Sequence, residues 1–129
     1  MKIFNMAPAE ALWSLVRSLA DRIPVYKEVM DEDENSVPDS YLLLRTDVGA
    51  GDSGSVYGDG TAQLRQTECD IVLVSKSKGA NTNDIHNQNK ASVKALLDES
   101  GVTYYGTNLG YDATLKSSRY TWSVRIVYG

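Results

Sequence analysis

Hydrophobic residues recur at three- and four-residue spacing in two parts of this chain, and in short runs or alternation in five others. In "PAEALWSLVRSLADRI" (8–23), Leu12, Trp13, Val16, Leu19, Ala20 and Ile23 fall on one stripe, which predicts an amphipathic helix. Pro8 suits its first turn, Glu10 complements the positive end of the helix dipole, and Pro24 stops it. "VYKEV" (25–29) reads as a short strand, and "MDEDENSVPDS" (30–40), with five acids, as a solvated loop. "YLLLRT" (41–46) is apolar enough to be buried on both faces. "QTECDIVLVSKS" (66–77) is the clearest strand, with its apolar run at Ile71–Val74.

A second helix is predicted over 82–100, with Ile85, Asn89, Ser92, Val93, Leu96 and Leu97 on its inner face. Asn81 or Thr82 can cap it, and Gly101 is placed as its C-terminal glycine. Residues 102–112 and 118–129 read as strands joined by "ATLKS". In the last, Trp122, Val124, Ile126 and Tyr128 alternate with polar positions and Val127, the pattern of a half-buried strand. The predicted order α-β-β-β-α-β-β gives a single α+β domain over 1–129. Its expected form is two-layer, a mainly antiparallel sheet with two helices packed on one face. Regular βα alternation, which a parallel nucleotide-binding sheet needs, is missing.

Composition narrows the function classes. The chain has 129 residues, a formal net charge of -4 and 42% hydrophobic residues, ordinary for one globular domain. The acidic balance argues against a dedicated nucleic-acid binder, which needs a basic face. One cysteine, Cys69, excludes an intrachain disulfide and fits a reducing compartment. The start carries no sustained apolar signal region, and no apolar run approaches the roughly 18 residues of a membrane span. The expectation is a protein made in a cytoplasm and free of membrane.

The polar segment 47–65, expected to be a mobile glycine-rich loop, holds the most suggestive motifs. Gly49-x-Gly51-x-x-Gly54 has the spacing of a dinucleotide-binding turn, but Gly58 and Gly60 follow where a helix should receive the pyrophosphate. No lysine follows these glycines, which excludes a P-loop. Gly51-Asp52-Ser53-Gly54 matches the tetrapeptide around a chymotrypsin-type nucleophile. The sole histidine, His86, comes after the serine and on a predicted helix, so no triad is expected. His86 reads as a surface or interface helix residue. Asp31, Asp33 and Asn35 sit at positions 1, 3 and 5 of a calcium loop, yet positions 6 and 12 are Ser36 and Leu42. A solvated charge run fits better, with weak divalent binding as the sharper alternative. Cys69 reads as a buried small residue. Tyr104, Tyr105, Tyr111, Tyr120 and Tyr128 crowd the last two strands, as cross-strand packing or as a protein–protein surface. No catalytic residues, metal site or cofactor are expected, which moves weight from enzyme to assembly or binding module.

The layout resembles one family. An amphipathic helix opens it, Pro38-x-x-Tyr41 leads into the first long strand, and a long glycine-rich loop follows. "ECDIVLVSKS", the helix "DIHNQNKASVKALLDES" and an aromatic hairpin ending in "YTWSVRIVYG" complete it. Over nearly its whole length this is similar to the tail terminator (tail completion) proteins of long-tailed bacteriophages. That resemblance implies a non-catalytic virion protein, assembled in the host cytoplasm. Such a protein forms a ring, usually a hexamer, on the head-proximal end of the tail tube. It would stop tube polymerisation, meet the head connector, and let DNA pass without specific binding. Gly49, Gly51, Asp52, Ser53, Gly54, Tyr57, Gly58, Asp59 and Gly60 then form a candidate assembly loop, mobile in the free protein and ordered by a partner. Glu28, Asp31, Glu32, Asp33 and Glu34 are candidate lumen acids, which would repel DNA phosphates, or else a plain solvated surface. A head-side connector or stopper of the same neck is the first alternative, and a small ligand-binding domain the second.

Overall fold

The computed structural model describes residues 3–26, 39–46, 52–55, 65–76, 82–113 and 116–129. The elements in order are β1 (Ile3–Phe4), α1 (Pro8–Val16), a 3-10 turn (Arg17–Leu19), β2 (Val25–Tyr26) and β3 (Ser40–Arg45). Then come β4 (Asp52–Ser55), β5 (Arg65–Lys76), α2 (Thr82–Ser100), β6 (Thr103–Asp112) and β7 (Ser117–Tyr128). The class is α+β.

One mixed sheet holds all seven strands, with β7 and β5 at its centre. β5 and β7 run antiparallel over twelve paired residues, from Arg65↔Tyr128 to Lys76↔Ser117. The far side of β5 is shared by β3 and β4, both antiparallel to it. The far side of β7 is shared by β6, antiparallel, and β1, parallel. β2 adds to β3 in parallel, so the two are not a hairpin. Both parallel pairings are two residues long, too short for periodicity to announce them.

Alternation along the strands sorts side chains to two faces. Leu42, Leu44, Cys69, Ile71, Leu73, Trp122, Val124 and Ile126 form one buried cluster with Ala11, Leu12, Leu15 and Val16 of α1 and Val93 and Leu97 of α2. Tyr41, Leu43, Val72 and Val74 form a second, smaller cluster, with Tyr26 set edge-on to Tyr41 at 5.8 Å. Each large apolar side chain buried this way contributes about 1.5–3 kcal/mol.

The predicted first helix is shorter than its hydrophobic stripe. α1 ends at Val16, and a 3-10 turn and bends carry Leu19 and Ile23 into the core. Pro24 disfavours helical backbone at residue 23, so the helix cannot run to the end of its hydrophobic stripe. Pro8 stands at the helix start, while Ala7 supplies no side-chain cap. α2 spans 82–100 as its spacing predicts, and Gly101 follows in the left-handed region at φ 80. Inside the segment expected to be a loop, Asp52–Ser55 pair with β5 as β4.

Candidate assembly surface

Among the described residues β6 is the strand least covered by the rest of the protein. Among the described residues it pairs with β7 alone, and its other edge has no neighbour. Ten residues long, it is exposed or half-buried throughout. Tyr105, Leu109 and Tyr111 are more than half exposed, at 57%, 54% and 56%. A long, uncovered edge strand is a template for pairing with another chain, and native proteins normally blunt one with charge or proline. From Thr103 to Tyr111 this strand has neither. Its one irregularity is a register shift between Asn108 and Gly110, where Gly110 takes φ 75 and donates its N–H to Asn108 Oδ1 at 2.8 Å.

The strand is held from the face of the larger buried cluster. Tyr104 lies opposite Val124 of that cluster, and its hydroxyl donates to Asp98 of α2. That hydrogen bond, followed by the one from Lys94 at 2.9 Å, holds the Asp98 carboxyl below its usual range. Tyr120 of β7 lies across Gly106, with the Lys90 ammonium 4.8 Å from its ring centroid and the Trp122 ring at 4.7 Å. Tyr105 and Thr107 lie opposite Ser123 and Thr121, on the other face of the strand from Tyr104. The expected tyrosine crowd thus divides: Tyr104, Tyr120 and Tyr128 pack against the core, and Tyr105 and Tyr111 face outward.

A second polar constellation was not anticipated. His86 is expected at the surface and Ile85 inside; instead His86 is 8% exposed and Ile85 47%. Nδ1 of His86 lies 2.7 Å from Ser75 Oγ, which is 3.3 Å from Ser40 Oγ, and Asn89 Nδ2 donates to Ser40 Oγ at 2.9 Å. The strands present hydroxyls where this turn of α2 lands, so a hydrogen-bonded imidazole fits there and an isoleucine side chain does not. With only Val93 and Leu97 of its apolar residues fully buried, α2 relies on these bonds for its seat. The arrangement is not a nucleophile and base open to substrate, because Ser75 is 2% exposed.

Burial first, and the nearby Lys90 charge second, push the His86 pKa below its usual 6.5. The native state therefore prefers neutral imidazole, and below that value the unfolded chain binds the proton first. Stability is expected to be full above about 6.5 and to decline as pH falls below it. Urea unfolding of the native protein and of His86→Gln across this range tests the point. The variant should lose the histidine's share of the slope, and identical slopes would contradict it.

Cys69 is buried, and burial followed by the Asp70 charge pushes its thiol up to about 11, so it is a packing group. A groove of about 390 Å³ between β1, α1 and α2 is lined by Phe4, Met6, Leu15 and Leu96, with Glu99 as its one carboxylate. Among the described residues Glu99 is the sole titratable side chain lining it, so they offer no acid–base pair there. Among the described residues no three His, Cys, Asp or Glu side chains converge, and no helix is long and apolar enough to cross a membrane.

Of the sequence-predicted site residues, Asp52, Ser53 and Gly54 belong to β4 by their backbone. Gly49, Gly51, Tyr57, Gly58, Asp59 and Gly60 lie outside the described residues, as do Glu28, Asp31, Glu32, Asp33 and Glu34. From sequence the tyrosines of β6 read as cross-strand packing or as a protein–protein surface, and nothing in them says that the strand lies at an edge. Which strand ends at an edge depends on the order of the whole sheet. No protein-family model matches this chain, and no curated protein matches it in sequence.

Proposed function

We propose that this chain is a non-catalytic assembly protein that works by joining other chains through the β6 edge, and that its setting is a phage neck, as tail terminator. The observation that supports assembly is the ten-residue uncharged-to-Tyr111 edge strand with Tyr105, Leu109 and Tyr111 exposed. The tail-terminator setting rests on the resemblance of layout. In this reading the domain is a two-layer unit, a mainly antiparallel sheet with both helices on one face. Copies close by rotation into a ring, usually of six, through a heterologous contact in which β6 supplies one side. The ring ends the tail tube, meets the head connector, and passes DNA without binding it specifically. The chain's net charge of -4 suits that passage, since like charge keeps phosphates moving.

Mixing the purified chain with tail tubes and examining the tube ends by electron microscopy, with native mass spectrometry of the free chain, tests the proposal. Closed rings at the head-proximal end are expected. A chain that forms no closed oligomer and leaves tube ends bare sinks it, and capture by a head connector instead of tube ends would reassign it to the head side of the neck.

A further inference from the structure

We infer that the groove between β1, α1 and α2 is a binding site for a small organic ammonium, a protonated primary amine on an aliphatic body. It stands apart from the β6 edge and needs no phage setting. Its volume of about 390 Å³ lies within the roughly 300–1,000 Å³ range of small-molecule pockets.

Charge selects the head group. Glu99 lies in the last turn of α2, where backbone carbonyls without helical partners form the negative end of the helix dipole. Asp98 is in the same turn, and no basic residue is. Asp98 is answered by Lys94 and by the Tyr104 hydroxyl. Glu99 is exposed, and among the described residues it has no hydrogen-bond or ion-pair partner.

The hydroxyls of the groove extend that preference. Ser14 Oγ donates its hydrogen to the Ala11 carbonyl at 2.6 Å, and Ser100 Oγ donates to the Leu97 carbonyl at 2.7 Å. Both hydrogens are committed, so each oxygen has only lone pairs left. One of those on Ser100 takes the Val102 N–H at a long 3.4 Å. Asn5 adds a carboxamide, which supplies a further acceptor and, among the described side chains, the one remaining donor. An ammonium brings three donors and no acceptor, which suits this set. A carboxylate or phosphate would instead meet Glu99 and the negative end of α2.

The apolar lining selects the body. Phe4 and Leu15 are buried, Met6 and Leu96 are half-buried, and Ile3 is exposed. An aliphatic chain laid on them removes apolar surface from water, while the head beside exposed Glu99 stays partly hydrated. That arrangement avoids the cost of stripping a cation of its water.

Titrating the isotope-labelled chain with n-hexylammonium, hexanol and hexanoate, followed by amide NMR shifts, tests the inference. Hexylammonium should shift the amides of Phe4, Met6, Leu15, Leu96 and Glu99 saturably, hexanol more weakly, and hexanoate not at all. Going from butyl- to hexylammonium should tighten binding by up to about fourfold per methylene. Glu99→Gln, at an exposed position, should weaken hexylammonium about three- to tenfold and abolish the salt dependence of its binding. Asp84→Asn, an exposed acid at the other end of α2, should leave it unchanged. The amide spectrum itself reports whether each variant is folded. No saturable shift at the groove, equal binding of hexanoate, or a Glu99→Gln chain that binds as the native one does overturns the inference. None of these outcomes bears on rings or tail tubes, so this site and the assembly reading fail separately.

Discussion

Trp122→Ala is expected to cost about 3–5 kcal/mol of stability, the range for removing a large aromatic side chain from a packed interior. Trp122 is 2% exposed and lies mid-strand in β7. In register it faces Ile71 of β5 on one side and Gly106 of β6 on the other. Its ring also braces Tyr120, and its cluster includes buried residues of both helices. No neighbour can collapse into the space without abandoning one of those contacts, so the cavity is expected to stay open. A domain of this size is stable by only about 5–15 kcal/mol in total. Urea unfolding followed by circular dichroism should show a midpoint far below that of the native protein. A loss under about 1 kcal/mol would mean that the site relaxes freely and that this account of the core is wrong.

Gly106→Val is the second large effect, and strand propensity alone would give it the opposite sign. Valine suits a strand better than glycine does. Yet a Cβ at position 106 would lie 2.8 Å from both Cε1 and Cζ of Tyr120, well inside ordinary contact, with the hydroxyl nearer still. The tyrosine ring is held between Trp122 and the Lys90 ammonium, so it cannot swing aside without giving up both. A destabilisation of about 1–3 kcal/mol is expected, the usual cost of overpacking. Faster amide exchange should accompany it in β6 and β7. Thr107→Val, one residue along on the opposite, exposed face, should stay within about 0.5 kcal/mol of the native chain. Tyr120→Leu combined with Gly106→Val should recover part of the loss. If the glycine variant matches the Thr107 variant, the ring does not lie across the strand as described.

Much of the scaffold is legible in the sequence where a signal is both long and local. α2 carries a nineteen-residue pattern with a capping candidate at one end and Gly101 at the other, and its limits follow directly. β3, β5 and β7 announce themselves by apolar runs or alternation, and each lies within a residue of its expected place. Short elements do not. β1 is two residues, and β4 is "DSGS", a sequence that reads as a turn until β5 offers it a ladder. His86 fails for another reason. Periodicity marks a helix face to within one residue, and the choice between Ile85 and His86 was made by Ser75, at the end of β5, where the apolar run has just stopped. The β6 edge is harder still to read, because exposure there follows from the order β6-β7-β5-β3, a property of the assembled sheet.

The β5–β7 ladder also bears on how the chain finds this fold. Its partners are separated by 41 residues at the Lys76↔Ser117 end (117 − 76) and by 63 at the Arg65↔Tyr128 end (128 − 65). α2 and β6 fill that interval, and both can form from near neighbours: α2 within itself, β6 against β7 across a tight connection. Closing the long loop costs entropy before any pair of the central ladder repays it. The helix and the terminal hairpin are therefore suited to form first and present one finished edge of β7, onto which β5 docks as a late, all-or-none step. Until it docks, the second edge of β7 is as open as that of β6, and the unfinished protein offers a template strand that the finished sheet has closed.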